Sequence, residues 1–222
     1  MPEPTLAEDF LQLVLDDESG KRIVGHLEAT RGLAGAVFLD LLAAGRVDRT
    51  GKDDAGRSGC FVVRDASPTG NPVWDQALAR LGDKSYTGRR AVEKLVKGTE
   101  DAVRERLVER GVVCEEKSTV LGVFPRRRWP ATDTGHEELV TRRIKDVLVA
   151  GAAAPDRRTA DLVALLHAVR AAHKVVDGDR RTVRTRAKEI ADQNPGGDAV
   201  RQALDAVRAA MIAAAAAGSA GS

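Results

Sequence analysis

The sequence predicts a mainly α fold: a compact single-domain helical body with short strands and one projecting β-hairpin. Three observations carry this. Apolar residues recur at helical spacing through most of the chain, twice behind a capping-box pattern, Thr5-x-x-Glu8 and Thr134-x-x-Glu137. Two helical runs stop at a glycine and pass straight into strand-like residues, at Leu41-Leu42-Ala43-Ala44-Gly45-Arg46-Val47 and Leu107-Val108-Glu109-Arg110-Gly111-Val112-Val113. Finally, the short strand-like run Val120–Phe124 leads into Pro125-Arg126-Arg127-Arg128-Trp129-Pro130, whose prolines disfavour helix.

The elements follow in order. Leu6, Phe10, Leu13 and Val14 form the inward stripe of a first helix, and Leu33, Val37, Leu41 and Leu42 that of a second over Leu27–Ala44. Arg46–Arg49 and Cys60–Arg64 read as strands on either side of the polar loop Lys52–Gly59, and Ser67-Pro68-Thr69-Gly70 as a turn. Helices are expected over Val73–Leu81, Gly88–Val96 and Thr99–Arg110, and a strand over Val112–Glu116. Phe124–Pro130 reads as the exposed tip of the hairpin. Beyond it come helices from Thr134 to Val149, a long one from Pro155 to Val176, and two more near Thr182–Gln193 and Asp198–Ala217. The domain spans residues 1–217, and 218–222 reads as a disordered tail.

Composition narrows function more by exclusion than by indication. In 222 residues, 35 basic side chains face 33 acidic ones for a net charge of +2, so any basic binding face must arise by segregation. Cys60 and Cys114 have no His or Cys at metal-ligand spacing and read as reduced thiols of a cytosolic protein. His26, His136, His167 and His173 are scattered, no Gly-rich phosphate loop is present, and no Ser or Cys has an adjacent His. The expectation is a non-enzyme without cofactor or metal. No apolar run reaches the roughly 20 residues of a bilayer span, so membrane contact is expected to be peripheral, from the cytoplasmic face.

One segment stands above this background. Arg126, Arg127 and Arg128 set three guanidiniums beside the Trp129 indole. Such a cluster must stay solvated, its forks suit phosphate oxygens, and Trp favours the bilayer interface. Arg180-Arg181-x-x-Arg184-x-Arg186-x-Lys188 reads instead as a solvated helix face with local ion pairs. Helix, glycine, strand and basic hairpin over Thr99–Pro130 are also the grammar of a winged helix. Against nucleic acid, Glu100, Asp101, Glu105 and Glu109 outnumber Arg104, Arg106 and Arg110 on the helix that would read the groove. A protein–protein scaffold without lipid is a third reading.

Asp65-Ala66-Ser67-Pro68-Thr69-Gly70-Asn71 with Asp75 and Leu78, the Leu33–Val47 helix ending in Gly-Arg, Leu107-Val108-Glu109-Arg110-Gly111, Asp156-Arg157-Arg158-Thr159 with Leu162–His167, and Arg186-Ala187-Lys188-Glu189 together resemble the Golgi phosphoprotein 3 family over about Leu6–Ala191. Composition points to a bacterial, actinobacterial member. The resemblance implies a mainly helical fold with a projecting hairpin, linked in the family to self-association. It also implies a peripheral protein binding phosphatidylinositol 4-phosphate as an adaptor for client membrane proteins. The family's head-group pocket uses one Trp and three Arg. These positions fall on Gly25, Ala34, Lys97 and Glu100, with Arg31 and Arg104 as the nearby guanidiniums that can substitute. The lipid-binding set is therefore Arg126, Arg127, Arg128, Trp129, Lys97, Arg31 and Arg104, with an anionic phospholipid surface as partner and no nucleic acid.

Overall fold

The computed structural model describes residues 3–16, 19–51, 58–120, 124–132, 134–194 and 197–219. Helix α1 (Leu6–Leu13) begins at a complete capping box: Glu8 N–H donates to Thr5 Oγ1 at 3.2 Å, and Thr5 N–H to Glu8 Oε2 at 2.6 Å. The next two free amides, of Leu6 and Ala7, donate to the Asp40 carboxylate at 3.0 and 3.2 Å. Asp40 belongs to α2 (His26–Ala43), so the cap also fastens the first helix to the second.

Nearly all of α2 beyond its first turn is buried, including Leu33, Val37, Phe38 and Leu41. A helix apolar on all faces belongs at the centre of a protein. Its glycines are contact points: a Cβ at Gly32 would collide with the Phe10 ring, and one at Gly35 would stand 2.5 Å from Val207 Cγ2 and 3.0 Å from Leu165 Cδ1. Around α2 pack α1, α4 (Gly88–Val96), α7 (Arg157–Ala168) and α10 (Gly197–Ser219). Helices α3 (Pro72–Leu81), α5 (Thr99–Glu109), α6 (Gly135–Leu148), α8 (Ala172–Val175) and α9 (Arg180–Asp192) complete the body.

Both helices stop at their expected glycines, Gly45 at φ +67° and Gly111 at φ +69°, conformations that cost glycine little, but only the first passes directly into a strand. After the first, β1 (Val47–Arg49) pairs antiparallel with β2 (Phe61–Val63) in the register Val47↔Val63, and the Phe61 ring meets Phe38 edge-on at 4.9 Å. The polar loop at 52–57 lies outside the described residues. The turn that follows is built by side chains. Asp65 accepts from Ser67 N–H and from Arg46, Arg46 also donates to the Ser67 carbonyl, and Asp75 accepts from the amide and hydroxyl of Thr69. Asn71 then caps α3, with Pro72 in its first turn. The distinctive Asp-x-Ser-Pro-Thr-Gly-Asn run is thus a strand-to-helix turn whose polar groups satisfy one another.

Five expectations need correction. In the hairpin, β3 (Glu116–Val120) pairs with β4 (Phe124–Arg128) in the register Val120↔Phe124, so the reversal falls where a strand was expected and the presumed tip is the returning strand. A two-stranded arm has only edge strands, so Pro125 costs no more than one ladder donor. Val113 makes only an isolated bridge, to Ala131, below the arm. Thr134 caps α6 in a helical conformation without a side-chain cap; its hydroxyl donates to Glu138 at 2.9 Å instead. The long helix breaks at Arg170, φ +61°, into α7 and α8. Gly218 and Ser219 finish α10, and 220–222 lie outside the described residues.

Candidate functional site

The arm carries Lys117, Arg126, Arg127 and Arg128 against Glu116. Ladder pairing sets Lys117 opposite Arg127 and Glu116 opposite Arg128. The side chains of the three arginines lie outside the described part; their backbone is β4.

Trp129 is not at a tip. It sits at the root of the arm, half-buried and packed on the core. The Arg104 guanidinium lies over its ring, 4.3 Å from the centroid, a cation–π contact that desolvation strengthens. Arg104 also pairs with Glu100 at 2.5 Å one helical turn earlier, and Glu100 accepts from Arg22 at 3.0 Å. Burial pulls the Arg104 pKa below its usual value, against the opposing pull of Glu100. The cleft beside this stack, about 600 Å³, is walled by Asp101, Glu105, Glu109 and Glu115 as well as Arg104 and Trp129. Four carboxylates make it a poor seat for an anion. Arg104 and Trp129, which the sequence nominated separately, are brought together, but as the anchor of the arm.

The positions to which the resemblance assigns a head-group pocket lie on α2 and its N-cap, the C-cap of α4 and the first turn of α5. Gly25 is the N-cap of α2 and Ala34 is fully buried. Arg31 of α2 reaches α4, pairing with Glu93 at 3.2 Å. Lys97, the exposed C-cap of α4, forms no ion pair among the described residues. Of this group only Lys97 offers an uncommitted charge. Arg22 was missed by sequence reading: nothing local ties it to Glu100, 78 positions away.

A second basic feature was also missed. The end of α7, the Arg170 turn, α8, α9 and α10 enclose a groove of about 420 Å³ lined by His167, Arg170, His173, Arg180, Arg184, Lys188 and Arg208. The expected local ion pairs of α9 exist for Arg186 with Glu189 at 3.1 Å and Lys188 with Asp192 at 2.5 Å. Arg180 and Arg184 have none among the described residues. Burial lowers the pKa of His167, helped by the cations Arg208, Lys188 and Arg184 and opposed by Asp192. Burial and Arg180 lower that of His173.

Among the described residues no cluster of His, Cys, Asp and Glu is placed to hold a metal, and no helix is long and apolar enough to cross a membrane. The turn at 65–75, the two glycine junctions and the arm occur in the order that the resemblance requires. The sequence model of the Golgi phosphoprotein 3 (GPP34) family matches residues 6–207, from the first turn of α1 to the core-facing part of α10, and the chain therefore belongs to the Golgi phosphoprotein 3 family.

Proposed function

We propose that this protein is a peripheral membrane protein that binds anionic phospholipid head groups, phosphatidylinositol 4-phosphate among them, at the cytoplasmic face of a membrane, as a non-catalytic adaptor for client membrane proteins. Family membership supports the lipid class. The observation that carries the reading for this chain is the arm: four basic residues against one acidic on two paired strands, held to the body at Trp129. Self-association through the arm belongs to the same proposal. The four carboxylates in the cleft between α5 and the arm weigh against nucleic acid, whose phosphates would meet them first.

Each basic residue near an anionic surface contributes about 1 kcal/mol, screened over roughly 8–10 Å at ordinary salt. Flotation with phosphatidylcholine vesicles, with and without phosphatidylinositol 4-phosphate or phosphatidylserine, tests this. Binding should require the anionic lipid, weaken with salt, and drop strongly when Arg126, Arg127 and Arg128 are all changed to Ala. It should drop less for Lys97→Ala with Arg31→Ala. Equal flotation on neutral and anionic vesicles overturns the reading.

A further inference from the structure

We infer that the groove between α7, α8, α9 and α10 is a binding site for the phosphate group of an organic phosphate ester, separate from the arm. Three observations carry it. The first is an excess of charge that the fold does not neutralise. Lys188 is held by Asp192 and Arg208 by Asp205 at 3.2 Å, while Asp179 spends its carboxylate on the Thr182 amide and hydroxyl, both at 2.8 Å. Arg170, Arg180 and Arg184 are left lining one cavity with no carboxylate partner among the described residues. Cations crowded within a Debye length repel one another, and an anion between them relieves that repulsion.

The second is Arg170 itself. Helix α7 ends in a Schellman motif, with Ala171 N–H donating to the Leu166 carbonyl at 2.8 Å and Arg170 N–H to that of His167 at 3.1 Å. The residue at Arg170 takes φ +61°, among the described residues the only non-glycine at positive φ. Glycine is the residue that this motif favours. A strained arginine there adds a guanidinium to the groove at the expense of the backbone, and strain of this kind gathers at functional sites.

The third is the shape of the lining. Ala168 and Ala172 are buried in one wall, and Ile212, 58% exposed, borders it. A free inorganic anion needs no apolar wall, whereas the carbon part of an ester gains from covering one. Guanidinium forks bind phosphate oxygens in pairs, so Arg180 and Arg184 face the phosphate and the alanine–isoleucine edge faces the carbon part.

The phosphate can come from a soluble metabolite or a lipid head group, and one experiment separates them. Calorimetric titration of the full chain with glycerol 3-phosphate and with inorganic pyrophosphate reads the soluble source; flotation on phosphatidylcholine vesicles containing phosphatidic acid reads the lipid source. Arg184→Ala and Arg170→Gly are the variants. Arg170→Gly suits the backbone conformation and so keeps the fold. Each variant should weaken binding roughly tenfold or more in whichever arm binds. Loss in the glycerol 3-phosphate titration assigns a soluble ester, loss in flotation alone assigns a head group, and binding of pyrophosphate without glycerol 3-phosphate or lipid overturns the ester. Binding in either arm that both variants leave unchanged overturns the proposal, as does absence of soluble binding with flotation untouched by both. Neither result bears on the Arg126–Arg128 arm, whose variant is read separately on phosphatidylserine vesicles.

Discussion

Gly20, at φ +59°, lies against the backbone of Trp129: a Cβ at position 20 would stand 2.5 Å from the Trp129 carbonyl carbon and 2.7 Å from its oxygen. The loop after α1 therefore closes over the root of the arm, with backbone against backbone, and neither partner can move aside as a side-chain tip would. Gly20→Ala should cost about 1–3 kcal/mol through this overlap and the left-handed φ. Denaturant unfolding measures the loss. Faster hydrogen exchange at the Cys114 amide, which donates to the Pro130 carbonyl at 3.1 Å, would place it at the root. An unchanged midpoint would show that the loop yields freely.

Trp129 packs on the core beneath Arg104 at the root of the arm, a placement that predicts a structural contribution from its ring. Trp129→Ala removes both its packing and the Arg104 stack and should lower stability by about 1–3 kcal/mol. Trp129→Phe keeps a ring beneath the guanidinium and should lose less. Limited proteolysis within 116–128 should quicken for the Ala variant while helix content by circular dichroism stays constant. A Trp129→Ala protein of full stability that no longer floats would return the indole to the membrane interface.

Asp40 gives the fold a pH dependence of unusual sign. Burial raises its pKa from 3.8 to about 7, against the lowering effect of the Leu6 and Ala7 amides. Between those values the folded protein holds the proton more tightly than the unfolded chain does. The Asp40 contribution is therefore fully present at low pH, falls as pH rises towards 7, and is flat above it, opposite to a salt-bridged carboxylate. Asp40→Asn should flatten stability against pH between about 4 and 7. An identical slope in the variant would place the titration elsewhere.

Arg170→Gly should raise stability by about 1 kcal/mol, because glycine relieves the left-handed strain at the end of α7. A thermal melt shows it as an upward shift of a few degrees. A lower melting temperature would mean that the arginine contributes more by contact than its backbone costs.

Much of this fold was legible because local chemistry and tertiary demand agree. Thr5-x-x-Glu8 forms its box, Gly45 and Gly111 stop their helices, and Asn71-Pro72 opens α3, each by interactions within a few residues. The misses arose where a competing partner, near or far, decides. Thr134 bonds Glu138 rather than capping, and the arm reverses between Val120 and Phe124 because ladder pairing places both runs in strands. In the candidate site, the basic run at 126–128 was visible as a string of letters. Its neighbour Trp129 could not be read as an anchor, because Arg104 and Gly20 approach it only in three dimensions. The groove stayed hidden for the same reason: Arg170, Arg184 and Arg208 come from three elements, and none marks a motif alone.

The burial of α2 also sets an order of events during synthesis. Gly35 finds its close neighbour Val207 on α10, the last helix of the body, while nearly every face of α2 is apolar. A ribosome adding residues at roughly 5–20 per second leaves α2 without that cover for on the order of ten seconds or more. Throughout that interval the emerging chain presents its most hydrophobic helix to whatever is nearby. A nascent chain stalled before Val200 should therefore be held by chaperones, and release should follow the appearance of Val207.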